Sequence, residues 1–219
     1  YHHIDDNRTA NTALYFDGSS YITIPHNENI DPVTSDYTYE AWIKQDAASA
    51  CSIFAKGGHG TASDVTGISL FTESTGIVGY RWYSGSTAHI VVTSSALPLH
   101  IWHHIAAVRM VSDLVSGTTG SVKLFIDGVC VDRDTNAYCD DDHDTSTTTM
   151  YIGRNHEGNY LMNGWLDGIR LTKGMPRYTS GIPADGQSPH KRYDDGRSSN
   201  VSSNTWATSS TRRYYGINT

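Results

Sequence analysis

The chain has 219 residues, 37% of them apolar, with 14 Tyr and 5 Trp and a formal charge of −7. That length suits one large β-sandwich or two small domains. An acidic chain excludes non-specific nucleic-acid binding, which needs a basic face, and no run approaches the roughly 18 apolar residues of a membrane span.

In chain order, residues 1–12 are polar and are predicted to form an arm. Ala13–Phe16 and Tyr21–Ile24 read as strands joined by Asp17-Gly18-Ser19-Ser20. Asp-Gly supplies the positive φ of a tight turn, so the pair is predicted to be a hairpin. Tyr37–Lys44 alternates, with Tyr37, Tyr39, Ala41 and Ile43 on one face and Glu40 and Trp42 on the other, the period of a strand. Ile53–Lys56 runs into the glycine-rich Gly57-Gly58-His59-Gly60. Ile68–Thr72 and Val78–Ser84 form the next pair, followed by His89–Ser94. Ile101–Met110 and Val122–Ile126 are joined by a Ser/Gly/Thr loop, and Asp127-Gly128 is a second turn, leading into Val129–Asp132. Thr148–Ile152 and Trp165–Leu171 complete the set. About a dozen short strands without a convincing helix predict an all-β, two-sheet antiparallel jelly-roll sandwich over residues 13–183. Residues 184–219 are poor in aliphatics and carry five Lys or Arg against three Asp, so the remainder of the chain stands at −9. Such a composition buries no core of its own. Trp206, Arg212, Arg213, Tyr214 and Tyr215 make it a candidate arm that docks on a partner, because aromatics and Arg are what partner surfaces favour; the plain alternative is a disordered tail.

Cys51, Cys130 and Cys139 are an odd set, so at least one is free or pairs between chains. Cys130 and Cys139 are close enough in sequence to be bridged, and Cys51, opening a strand, reads as a small buried residue. Neither CxxC nor Cys/His spacing suggests zinc. Asn7-Arg8-Thr9 and Asn200-Val201-Ser202 are glycosylation sequons.

The ordered segments Ala13–Gly18, Tyr37–Ile43, Ser52–Gly58, Trp102–Arg109, Val122–Gly128 and Gly164–Leu171 resemble the concanavalin A-like lectin/glucanase superfamily, in its laminin-G-like and pentraxin-like branch. The resemblance implies the sandwich and leaves the function open, since this fold serves many roles. Glucanases of the superfamily carry a Glu-x-Asp-x-x-Glu strand, and retaining hydrolysis needs two carboxyls about 5 Å apart. Glu28, Glu40, Glu73 and Glu157 lie in no such pattern, so no catalytic residue is expected. His103 and His104 are adjacent, so they are predicted to face opposite ways, His104 onto the sheet and His103 to solvent.

In such modules a calcium ion sits at the sandwich edge, and the resemblance places its ligands at Asp17 and Asp167. Two carboxylates plus carbonyls and water would complete six to eight oxygens. Alternatively Asp17 only sets a turn and Asp167 pairs with Arg170 or caps a loop; Gly168 stands where many relatives carry a second acid. Asp140, Asp141, Asp142 and Asp144, beside His143, Asp132 and Asp134, are a weaker divalent-ion candidate, or a solvated acidic loop. Sugar binding needs aromatic platforms beside planar polar groups, and Arg81-Trp82-Tyr83 with His156, Asn159, Tyr160 and Asn163 are expected to supply them on one rim; the alternative puts Trp82 in the core.

The segment Leu166-Asp167-Gly168-Ile169-Arg170-Leu171-Thr172-Lys173-Gly174-Met175-Pro176-Arg177-Tyr178 resembles the closing strand of lectin-like domains in tailed-phage structural proteins. This resemblance implies a non-enzymatic, lectin-like protein displayed on a particle surface, a virion decoration, fibre or appendage subunit associating with its own copies or other particle proteins. The alternatives are a carbohydrate-binding module for host or environmental glycans and, third, a divergent glycoside hydrolase. All three put the chain outside the cell or on a virion surface.

Overall fold

The computed structural model describes residues 13–31, 34–57, 67–112, 120–139, 143 and 147–179. They form two six-stranded sheets. The strands are β1 (Leu14–Asp17), β2 (Ile22–Ile24), β3 (Tyr37–Gln45), β4 (Cys51–Gly57), β5 (Gly67–Thr72), β6 (Val78–Ser84), β7 (Thr87–Val92), β8 (His103–Met110), β9 (Ser121–Ile126), β10 (Val129–Asp134), β11 (Met150–Ile152) and β12 (Asn163–Lys173). One sheet runs β1-β12-β3-β8-β9-β10 and the other β2-β11-β4-β5-β6-β7, with every pairing antiparallel. Among the described residues the expected jelly-roll sandwich is present, with two 3-10 turns and no helix long and apolar enough to cross a membrane.

Period-2 alternation builds the core between the sheets. Tyr37, Tyr39, Ala41 and Ile43 of β3 point inward with Ile105 and Ala107 of β8 and Val122, Leu124 and Ile126 of β9. They meet Phe54, Ile68, Leu70, Tyr80 and Trp82 from the other sheet. The space between Tyr39, Phe54, Leu70, Tyr80 and Met150 has no room for water.

Asp127-Gly128 is the predicted hairpin turn, with φ of 50° and 79° and Ile126 paired to Val129. Asp17-Gly18 is not. β1 pairs with β12 and β2 with β11, so this turn carries the chain from one sheet to the other. Asp17 stays in β1, and one carboxylate oxygen accepts the amides and hydroxyls of Ser19 and Ser20 at 2.8–2.9 Å. The amide of Gly18 donates to Met162 O at 2.9 Å. The Asp-Gly pair thus specifies a turn, whereas the partners of its flanking strands are chosen by distant segments.

The three cysteines are free thiols; Cys51 is buried as expected, and Cys130 and Cys139 are not bridged. Both neighbouring histidines are buried, which corrects the expectation that His103 faces solvent: its Nδ1 lies 2.7 Å from the Asp127 carboxylate at the β9–β10 turn.

β12 closes the first sheet through a bulge. Asp167 pairs with Trp42, but Arg170 pairs with Glu40, so β12 spends one extra residue there. Gly168, at φ +56°, takes up the turn. The extra residue keeps Asp167 and Arg170 on the same outer face, where strict alternation would oppose them. Arg170 therefore reaches Glu40 Oε1, Arg177 Nε lies 2.9 Å from the same oxygen, and His104 and the Tyr178 hydroxyl take Oε2 at 3.1 and 2.5 Å. Tyr178 also lies over Ala106, Val108, Met110 and Phe125, and Lys123 donates to Thr179 O at 2.7 Å. Burial alone would raise the Glu40 carboxyl; the His104 hydrogen bond and the charges of Arg170 and Arg177 outweigh it and hold the group well below the usual carboxylate range. The segment 166–178, which resembles the closing strand of phage lectin-like domains, is thus a clamp that fastens the chain's return to β3.

Candidate functional site

β1, β3, β4, β8, β11 and β12 bring one set of loops to one end of the sandwich. The β1–β2 crossing and the 153–162 loop meet there through the Gly18–Met162 hydrogen bond, and Met162 donates to Gly153 O at 2.8 Å. Two aromatic groups flank this end, one on each sheet.

On the outer face of the first sheet, Tyr15 pairs with Trp165 and Trp165 with Lys44. Alternation dictates this arrangement, because Phe16 and Leu166 are buried and their neighbours must turn outward. The Tyr15 and Trp165 rings lie 4.8 Å apart, and Lys44 Nζ sits 5.1 Å from the Trp165 ring and 5.5 Å from Trp102. The row Tyr15–Trp165–Lys44–Trp102 crosses three strand spacings, about 14 Å. Tyr15 is 51% exposed and both Trp rings are half-buried. Asp17, Asn163 and Asp46 form the next row, giving planar polar groups beside the rings. The Tyr178 clamp covers the far half of this face and leaves the row open.

On the other sheet, the loop after β11 is built around Asn155, 1% exposed. Its side chain accepts from Asn159 N at 2.6 Å, its amide donates to Asn159 O at 3.1 Å, and Ser52 N donates to Tyr160 O at 2.8 Å. This framework presents exposed Asn159 and Tyr160 beside His156 and Arg154, with Tyr160 at φ +52°. The Arg154 guanidinium lies 4.2 Å from the Tyr21 ring and 4.3 Å from Tyr151, and His156 stands edge-on to Tyr151 at 5.9 Å.

His156, Asn159 and Tyr160 stand together on this loop, but Trp82 and Tyr83 do not join them. Trp82 is fully buried, stacked between the sheets on Tyr80, His89 and His143, because Tyr80 and Trp82 share the inward phase of β6. Tyr83 is also buried, and β6 lies three strands from β11, about 14 Å away. Tyr15, Tyr21, Lys44, Tyr151, Arg154 and Trp165 were not singled out from the sequence. The missed signal was the aromatic between two aliphatics in a short strand, as in Met150-Tyr151-Ile152, where the aliphatics take the core.

The register of β1 on β12 sets Asp17 and Asp167 apart. Asp17 is opposite Asn163, four residues from Asp167 along β12, or about 13 Å, too far for two ligands held at 2.3–2.6 Å from one calcium. The Ser19 and Ser20 hydrogen bonds also hold the Asp17 carboxyl well below its usual range, and Asp167 Oδ1 accepts from Gly168 N at 2.7 Å. Among the described residues no three His, Cys, Asp or Glu side chains are grouped to hold a metal. Asp140, Asp141, Asp142 and Asp144, and Trp206, Arg212, Arg213, Tyr214 and Tyr215, lie outside the described residues.

No curated protein matches the chain in sequence. Among solved structures it is similar to domain 4 of AbnA, an extracellular GH43 arabinanase from Geobacillus stearothermophilus solved with arabinotriose (TM-score 0.54, 21% identity, 75% of this chain and 71% of that one). It is also similar to the CBM40 of the Ruminococcus gnavus IT-sialidase (0.51, 16%, 76% and 93%) and to domains LG4–5 of the mouse laminin α1 chain (0.51, 16%, 72% and 40%). At these identities the likeness is one of fold. The laminin-G-type profile of the concanavalin A-like lectin/glucanases superfamily matches residues 16–175, and the chain belongs to that superfamily.

Proposed function

We propose that the protein is a non-catalytic carbohydrate-binding module acting outside the cell, with the aromatic row Tyr15–Trp165–Trp102 as its sugar platform. That row carries the reading: aromatic faces in partial contact with water, set beside Asp17, Asn163 and Asp46, offer stacking and hydrogen bonds together. The arabinanase domain and the CBM40 lend the reading support by kinship of fold. Glu40 cannot serve as a glycosidase acid, since four partners engage it and Tyr178 covers it.

The test is a glycan array followed by calorimetry on the best ligand. Trp165→Ala is expected to weaken binding about tenfold or more, the loss of a central aromatic anchor, with the melting temperature little changed. Equal affinity for the variant would remove the row from the site. A chelator arm asks whether calcium contributes.

Display on a particle is the competing reading, with the C-terminal segment as its attachment. It predicts silence on the array, and loss of self-association or particle binding, by light scattering, when residues 184–219 are deleted.

A further inference from the structure

Among the described residues, the cation of the 153–162 loop, Arg154, has no acidic partner. Arg154 is clasped by Tyr21 and Tyr151, 4.2 and 4.3 Å from its guanidinium. Its Nε is buried without a hydrogen-bond partner, and among the described residues no acid or carbonyl takes its remaining N–H groups. His156 Nδ1 beside it is likewise buried and unpartnered. Lys56, by contrast, pairs with Asp31, and Arg170 and Arg177 pair with Glu40.

Rings on two sides strip water from the guanidinium and restrict its rotation, leaving an edge of paired donors. Two coplanar oxygens match that edge; a single hydroxyl does not. Exposed Tyr160 and Asn159 stand on the same rigid loop, a ring face and an amide for the rest of a sugar. We propose that Arg154 binds the carboxylate of an acidic sugar, so that this end of the sandwich selects anionic over neutral glycans. The inference rests on the carbohydrate-binding reading and names its ligand class.

The probes are trigalacturonate, its methyl ester, a sialylated trisaccharide and the neutral parent of each, titrated into the full chain. At least one carboxylated probe is expected to bind about tenfold or more tighter than its neutral counterpart, as a charge-assisted pair requires. Whether the uronate or the sialylated arm responds tells which sugar supplies the group. Arg154→Lys keeps the charge but loses the fork, and Arg154→Met keeps the packing stem; both should erase that preference while unchanged melting curves report the fold. Equal binding of acidic and neutral probes, or an undiminished preference in Arg154→Met, overturns the assignment and leaves the carbohydrate-binding reading standing. If no probe binds and the array is also silent, both readings fall.

Discussion

Replacing Glu40 with Ala is expected to cost about 3–5 kcal/mol of stability, because it leaves Arg177 and the Tyr178 hydroxyl facing a buried gap in place of their carboxylate. The strand return at 170–178 would lose the anchor that holds it to β3. Urea unfolding followed by tryptophan fluorescence reads the loss. The same group gives a pH signature. Its carboxyl is held far down in the folded chain, so its contribution is fully present above the unfolded carboxylate value of about 4.3 and declines as pH falls below it. His143 acts earlier: burial first, and the nearby Arg109 charge second, lower it to about 3. The folded form therefore resists a proton that the unfolded form accepts, and stability declines as pH falls below 6.5 towards 3. Glu40→Gln should flatten only the lower part of the acid limb. An acid limb identical to wild type would exclude the clamp as its cause.

Replacing Trp82 with Ala should be comparably severe, about 3–5 kcal/mol. The ring is fully buried and stacks on Tyr80, His89 and His143 at centroid distances of 5.4–6.0 Å. The Tyr37 hydroxyl bonds both Tyr80 and His143, at 2.6 and 2.8 Å, so a void here also loosens a buried polar chain. Any glycan affinity that survives in folded protein at low temperature should equal wild type, since the ring lies away from the rim. A folded variant with normal stability but lost binding would restore Trp82 to a ligand site and undo the placement.

Comparing these residues shows which properties were legible from the chain. Alternation in Tyr37–Ile43 determines a half-buried strand and its inward face, because successive side chains must oppose one another. Asp127-Gly128 determines a hairpin, because both residues tolerate positive φ and the flanking strands are each other's neighbours. Membership of the superfamily was readable for the same reason: the order of strands and turns is written locally. What pairs with what is not local. Asp17-Gly18 carries the same turn chemistry, yet its strands part, because β12 and β11 offer each a partner more than a hundred residues away. One extra residue at Gly168 reverses the face of Arg170 and sends it to Glu40, a shift that no count of alternating residues reveals. The register of β1 on β12 separates Asp17 from Asp167 and aligns Tyr15, Trp165 and Lys44 instead. The sequence by itself determined the elements and the family. Only the tertiary structure decided which outward side chains stand together, because residues distant in the chain become neighbours through strand pairing.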